Sequence, residues 1–395
     1  MLGIEHYPGV RKFLENPAYT EFWSLQAVDK WLAAQPLTVP TMLEVGQWDQ
    51  EDSYGAPAVY RALEPKDMSN DMLSRCVIGP WRHSGANHYG YDLGALTFTG
   101  DTALEWRAQL CEAVLRSLSE GRCRIRTRRR CSPMRRASTS GRTHRAGRWA
   151  RRRLSIWPRT ARRLSSARQA AGHDEYVSDP AKPVPFIPRP IDMSDPNAVE
   201  AMAGSRPALR FGPARRRWSG RARRSTRPVH IMGAPEVDLF AATTGTDSDW
   251  VVKLIDVYPN DMPEAAGAGR EAVDGGLRAA GRHRDLSRPL SRRASRQPRA
   301  AQGRARSSII AGRCPTSNHV FLPGHRIMVQ VQSSLFPLYD RNPQTFVPNI
   351  FFAKPEIIEG GQRIYHGGRR RARCCCRSSP EVSGGRHTFA EYRLE

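Results

Sequence analysis

Between Phe13 and Ala34 the apolar side chains Phe22, Trp23, Leu25, Ala27, Val28, Trp31 and Leu32 fall at roughly helical spacing, which predicts one or two amphipathic helices ending before Pro36. The pattern then shortens. Val39, Met42, Leu43 and Val45 form the compact apolar run of a buried parallel strand. Polar text follows, Ser53–Leu63 reads as a helix, and a second short strand, Arg75-Cys-Val-Ile78, runs into Gly79-Pro-Trp-Arg-His83. The resulting order is strand, acid (Asp49), helix, strand, histidine (His83). It predicts an α/β unit with parallel strands.

From His173 the text changes again. The prolines between His173 and Pro190 suit an extended loop, since each removes a backbone donor and fixes φ. Alternation of period two then appears: Val237, Leu239 and Ala241; Trp250, Val252 and Leu254 after the turn Thr246-Asp-Ser-Asp249; and Ile327, Val329 and Val331 after the turn Pro323-Gly324. Period-two strands separated by polar turns predict an antiparallel β-sandwich. The fold class expected is therefore α/β followed by all-β.

Composition complicates this picture. Basic residues outnumber acidic ones, 62 to 38, for a net charge of +24, which at face value suggests a polyanion-binding protein. The lysines are Lys12, Lys30, Lys66, Lys182, Lys253 and Lys354, and the other 56 basic residues are arginine. An evolved phosphate-binding surface normally mixes the two. The arginines are also clustered. Arg122–Gly172 holds 18 Arg and no Asp, Glu or Lys, and shows neither strand nor helix periodicity. Similar runs recur at 210–227, 267–313 and 369–386. Two readings stand side by side: stretches of GC-rich coding sequence read in a shifted frame, or genuine disordered Arg-rich tails that bind RNA. Either way the runs are expected to be disordered, and any RNA binding by them to be nonspecific and salt-sensitive.

The cysteines give no zinc pattern. Cys123 and Cys131 are too widely spaced for a C-x₂-C pair, Cys374, Cys375 and Cys376 are consecutive, and Cys76 and Cys111 are expected in the core. Asp247, Asp249 and Asp256 lack EF-hand spacing and read as turn and strand-end residues. His319, His325 and His366 show no ligand or partner spacing, and Asp340 and Arg341 beside Phe336 and Tyr339 are expected to lock a loop. No metal and no cofactor is expected. Neither a signal peptide nor a run of about 18 apolar residues is present, so no membrane span is expected and localisation stays open.

Asp49 and His83 are the candidates that carry chemistry. In an α/β hydrolase the acid follows one late strand and the histidine the last, and loops at the strands' C-terminal ends bring both to one sheet edge. A buried carboxylate can then orient an imidazole that accepts a serine proton. Two blander readings compete. Asp49 suits a helix cap with Glu51 and Asp52 in the first turn, and His83 suits a surface histidine, with His88 nearby as a rival base.

The segments Gly46-Gln-Trp-Asp-Gln-Glu-Asp-Ser-Tyr-Gly55 and Gly79-Pro-Trp-Arg-His83 resemble the α-amino-acid ester hydrolases, which form a wider group with cocaine esterase and the Xaa-Pro dipeptidyl-peptidases. Thr246–Pro259 and Ser333–Asn342 resemble the group's C-terminal jelly-roll domain. The resemblance implies Asp49 as triad acid, His83 as triad base, and Glu51 and Asp52 as members of a carboxylate cluster that binds a substrate ammonium group. It also implies a small amino-acid ester, amide or short peptide as substrate, an acyl-enzyme intermediate, a homo-oligomer, and a jelly roll that walls one side of the cleft.

In one respect the chain departs from the group: no Gly-x-Ser-x-Gly elbow occurs in it. The nucleophile is expected upstream, and the chain alone is expected to lack triad-dependent hydrolysis. The organisation expected is cap-like helices over 1–36, the C-terminal part of an α/β-hydrolase domain over 37–121, an Arg-rich segment over 122–172, a jelly roll over 173–368 interrupted at 210–227 and 267–313, and an Arg/Cys-rich tail over 369–395. The readings from other classes are an Arg-rich nucleic-acid-binding protein and a noncatalytic structural fragment.

Overall fold

The computed structural model describes residues 6–49, 54–67, 74–93, 96–98, 100–112, 115–116, 131–133, 161–166, 172–184, 217–233, 236–259, 278–285, 308–313, 317–336, 339–353, 359–366, 373–377 and 392–394. Three short helices come first, α1 (Pro8–Glu15), α2 (Glu21–Ser24) and α3 (Val28–Ala34), and none of them buries a residue. The predicted helical region is thus divided. Pro17 falls in the first break and Leu25–Ala27 form the second, and the aromatic residues pack locally, with Phe13 stacked on Trp23 at 5.4 Å.

Strand β1 (Thr41–Gly46) pairs in parallel with β2 (Ser74–Gly79), and helix α4 (Gly55–Leu63) lies between them in sequence. Parallel pairing requires such a crossover, and it buries both sheet faces. Cys76 and Ile78 pack with Val45 and Tyr60 on one side, while Val77, pointing the other way, joins Trp81, Ala86, Ala103 and Trp106. A small hairpin, β3 (Asp92–Leu93) and β4 (Leu96–Thr97), and helix α5 (Thr102–Glu105) follow; β5 (Cys131–Pro133) extends the sheet beyond β2 in parallel.

The C-terminal half is built of two facing sheets. One holds β6 (Ala161–Ser166), β7 (Gly172–Ser178), β10 (Glu236–Thr243), β13 (Ser308–Arg313), β16 (Gly360–His366), β17 (Arg373–Arg377) and β18 (Tyr392–Leu394). The other orders β12 (Arg278–Asp285), β11 (Val251–Val257), β15 (Arg326–Gln332) and β8 (Trp218–Arg221), all antiparallel. A separate antiparallel pair joins β9 (Val229–Gly233) to β14 (Ser317–Phe321). The core between them takes Val237, Leu239 and Ala241 from β10, Val252 and Leu254 from β11, Ile327, Val329 and Val331 from β15, and Tyr176, Phe321 and Ile364. Those from β10, β11 and β15 are residues that the period-two pattern selects.

The alternation does not, however, separate a dry face from a wet one. Val251, Lys253 and Ile255, and across from them Met328, Gln330 and Gln332, are buried as well. This central strand pair is covered on both faces, so polarity in its sequence does not report solvent. The described parts of the Arg-rich runs include paired strands, because pairing uses backbone groups and needs no side-chain period; much of the rest of those runs lies outside the described residues. The Pro323-Gly324 turn forms as read. Gly324 has φ +85 and His325 N–H donates to the Leu322 carbonyl at 3.1 Å, the type II arrangement that favours glycine at its third position. Among the described residues no helix is long and apolar enough to cross a membrane.

Candidate active site

Asp49 and His83 are brought together by two strand ends that touch. Gln47 N–H donates to the Gly79 carbonyl at 2.7 Å and Trp48 N–H to the Trp81 carbonyl at 2.9 Å, so the loop after β1 is fastened to the loop after β2. The contact requires Gly46, where a Cβ would lie 2.4 Å from the Trp81 carbonyl oxygen. Out of this junction Asp49 Oδ2 meets His83 Nδ1 at 3.0 Å. The Asp49 side chain is 5% exposed and that of His83 41%, so the carboxylate sits inside and the imidazole reaches the surface. That is the polarity an orienting acid and a working base require.

The histidine loop is anchored from below. The Trp81 indole N–H donates to Thr102 Oγ1 at 3.0 Å, the Thr102 hydroxyl donates to the Gly90 carbonyl at 2.9 Å, and the Trp81 ring packs against Trp106. Asp101 accepts from the N–H groups of Gly90, Ala103 and Leu104 with one oxygen, capping α5 and holding the loop that follows His83. Burial works against its charge, but these three donors and the Arg107 guanidinium outweigh it and lower its acidity range.

The helix-cap reading of Asp49 gives way. The residue before α4 is Tyr54, with no side-chain cap, so Asp49 caps no helix there. His88 is exposed and its carbonyl accepts from Arg107 at 2.9 Å. Glu51 and Asp52 lie outside the described residues. Cys76 is buried, as expected, and Cys111 partly so. Arg341 lies over the Phe336 ring at 4.8 Å and donates to the Pro180 carbonyl at 2.9 Å, so the cation is held by ring stacking and a backbone carbonyl.

Sequence reasoning missed a second acid–imidazole cluster. Asp256 lies one residue before the end of β11, as read, but it joins two histidines whose sequence spacing showed no partner: His319 Nε2 lies 2.7 Å from Asp256 Oδ2, and His325 Nδ1 2.9 Å from Asp256 Oδ1. The carboxylate is buried, which alone would raise its pKa, but the hydrogen bonds and charges of the two imidazoles prevail and hold it below the usual carboxylate range. The triplet ties β11 to β14 and to the Pro-Gly turn. Asp247 and Asp249 converge on the Asn342 amide, at 3.2 and 3.1 Å, in a turn-locking role. Among the described residues no group of three His, Cys, Asp or Glu is placed to hold a metal ion.

Residues 226–373 match the model of the X-Pro dipeptidyl-peptidase C-terminal non-catalytic domain, and residues 5–85 that of the X-Pro dipeptidyl-peptidase (S15 family). Cocaine esterase of Rhodococcus sp. (strain MB1 Bresler) is 32% identical over 172 residues, 44% of this chain and 26% of the esterase. Among solved structures, an α-amino acid ester hydrolase superposes with a TM-score of 0.81 at 38% identity, covering 95% of this chain and 61% of its own. An aminopeptidase from the marine sediment archaeon Thaumarchaeota archaeon gives 0.81 at 34% identity with the same coverage. A CocE/NonD family hydrolase from Staphylococcus aureus, at 10% identity and a TM-score of 0.52, is alike in fold. This chain therefore spans about a quarter of the esterase and about three fifths of the solved relatives.

Proposed function

The chain belongs to the family that unites X-Pro dipeptidyl-peptidases of the S15 type, cocaine esterase and the α-amino acid ester hydrolases, and from that premise we propose that Asp49 and His83 are the acid and base of a serine-hydrolase site acting on small α-amino-acid esters, amides or short peptides. The observation that carries this reading is the 3.0 Å contact between a buried carboxylate and a half-exposed imidazole at the ends of two adjacent parallel strands. With Nδ1–H donating to Asp49, the neutral ring presents its lone pair at Nε2. There it takes the proton of an attacking serine hydroxyl and later returns it to the leaving group. Asp49 stays ionised, holds the tautomer and stabilises the imidazolium. The serine forms and loses the acyl bond. Glu51 and Asp52, two and three residues after the acid, are assigned to the ammonium group of the substrate, which neighbouring carboxylates attract. The C-terminal sandwich, taken as the family's jelly roll, walls the cleft and performs no chemistry.

No Gly-x-Ser-x-Gly elbow is contained in the 395 residues, so this polypeptide by itself is expected to turn over no substrate through a triad. The test is a chimera. The stretch of the α-amino acid ester hydrolase that precedes its matching region, elbow included, is joined to Met1, and hydrolysis of an α-amino-acid ester is measured. The reading predicts no serine-reagent-sensitive turnover without the added stretch, turnover with it, and loss of about 10³-fold or more in the chimera on His83→Ala. Turnover that ignores His83 overturns it.

A further inference from the structure

Among the described residues two that are not glycine hold a left-handed backbone, and one of them, Ser84, directly follows His83. Its φ and ψ are 56° and 6°. Gly85 N–H donates to the Arg82 carbonyl at 3.0 Å, closing a four-residue turn, Arg82-His83-Ser84-Gly85, in which Ser84 takes the third position. His83, at the second, is not left-handed. This is the type II arrangement, whose third position belongs by preference to glycine or asparagine because a Cβ crowds the backbone there. A serine in that place carries a local strain that persists only where the surroundings impose it.

The surroundings do impose it. Behind the turn, Gly85 folds back on Trp81, where a Cβ would lie 2.9 Å from the Trp81 Cβ, and the Ser84 carbonyl accepts from Asn87 N–H at 3.0 Å to start the next helical turn. Ahead of it, Trp81 and Gly79 are fastened to the loop that carries Asp49. The chain must therefore reverse within one residue of His83, and the direction of the reversal fixes where the imidazole points. The Ser84 side chain itself is exposed and makes no cap bond, so its contribution runs through the backbone.

We propose that Ser84 is a positioning residue for the His83 base: its left-handed backbone aims the His83 ring at Asp49. The proposal rests on the reading of Asp49 and His83 as an acid–base pair and adds what sets their geometry. It predicts that substitutions at 84 act according to their tolerance of a left-handed backbone, regardless of size or polarity. Asparagine and glycine tolerate it, alanine resists it, and a β-branched residue resists it most.

The test uses the full chain labelled with ¹⁵N-histidine. The ring nitrogen shifts of His83, assigned by loss in His83→Gln, give the ratio of Nδ1–H to Nε2–H tautomers above the ring's titration, and urea unfolding gives stability. In wild type and in Ser84→Asn and Ser84→Gly, the Nδ1–H form should predominate. In Ser84→Val the ratio should fall about tenfold, the order expected from the left-handed penalty, and Ser84→Ala should fall between. Where the valine variant fails to fold, alanine against asparagine decides. A merely structural role would make the ratio follow unfolding midpoints instead of backbone class. A Ser84→Val or Ser84→Ala ratio equal to wild type, or a Ser84→Asn ratio as low as alanine's, overturns the proposal while leaving the His83–Asp49 pair standing. An Nε2–H ring already in wild type removes the pair and the proposal together.

Discussion

A Cβ placed on Gly46 would come within 2.4 Å of the Trp81 carbonyl oxygen, so the strand end that leads to Asp49 and the one that leads to His83 approach at a distance open to glycine alone. The relationship makes Gly46 the hinge pin of the candidate site. Gly46→Ala should force the two loops apart, lengthen the Trp48 to Trp81 bond of 2.9 Å, and destabilise the α/β part by about 1–3 kcal/mol, the usual range for overpacking. Urea unfolding followed by tryptophan fluorescence measures this. An unchanged midpoint would contradict it.

The Asp256 clasp predicts a pH dependence whose sign follows from its depressed folded pKa. The stability contributed by the ionised carboxylate is complete above the unfolded carboxylate value of about 4 and is lost only as pH falls through the lower folded value. The sandwich should therefore hold its His319 and His325 contacts through pH 5 and release them in stronger acid. Asp256→Asn should cost roughly 3 kcal/mol at neutral pH, as for removal of one partner from a buried charged pair, and flatten the acid limb. Thermal unfolding from pH 2 to 7 reads both effects; superimposable curves for the two proteins would refute the clasp.

Lys253 gives the opposite case. Fully inside the sheet, with burial as the main cause and the Arg217 charge as the second, its ammonium is pushed down to about 8. Because the unfolded chain keeps the proton up to about 10.4, it binds more protons than the folded chain between those values, and stability should rise as pH climbs from 8 to 10. Lys253→Met should abolish that rise and stabilise the sandwich at pH 7 by up to about 3 kcal/mol. Denaturant midpoints at pH 7 and 10 test it. A less stable methionine variant at pH 7 would show that the charge is well accommodated.

The order strand, acid, helix, strand, histidine was legible because each of its steps is local. A short apolar run, a helix between strands and a residue at each strand end are read within a dozen residues, and parallel pairing does the rest. The clasp was not. Its partners are 63 and 69 residues apart, and they meet through strand pairings that leave no spacing in the sequence. The burial of Lys253 was hidden for a related reason. Alternation assumes one solvated face, and β11 is covered on both. The first helices show the converse: their apolar spacing is real, yet none of the three buries a side chain.

The account depends most on the bond from His83 to Asp49, and the ring tautomer of His83 in solution tests it directly. In ¹⁵N-histidine spectra of the full chain above the ring's titration, the account predicts a predominantly Nδ1–H imidazole that reverts to the Nε2–H form in Asp49→Ala. An Nε2–H ring in both proteins, with no response to loss of the carboxylate, would contradict it.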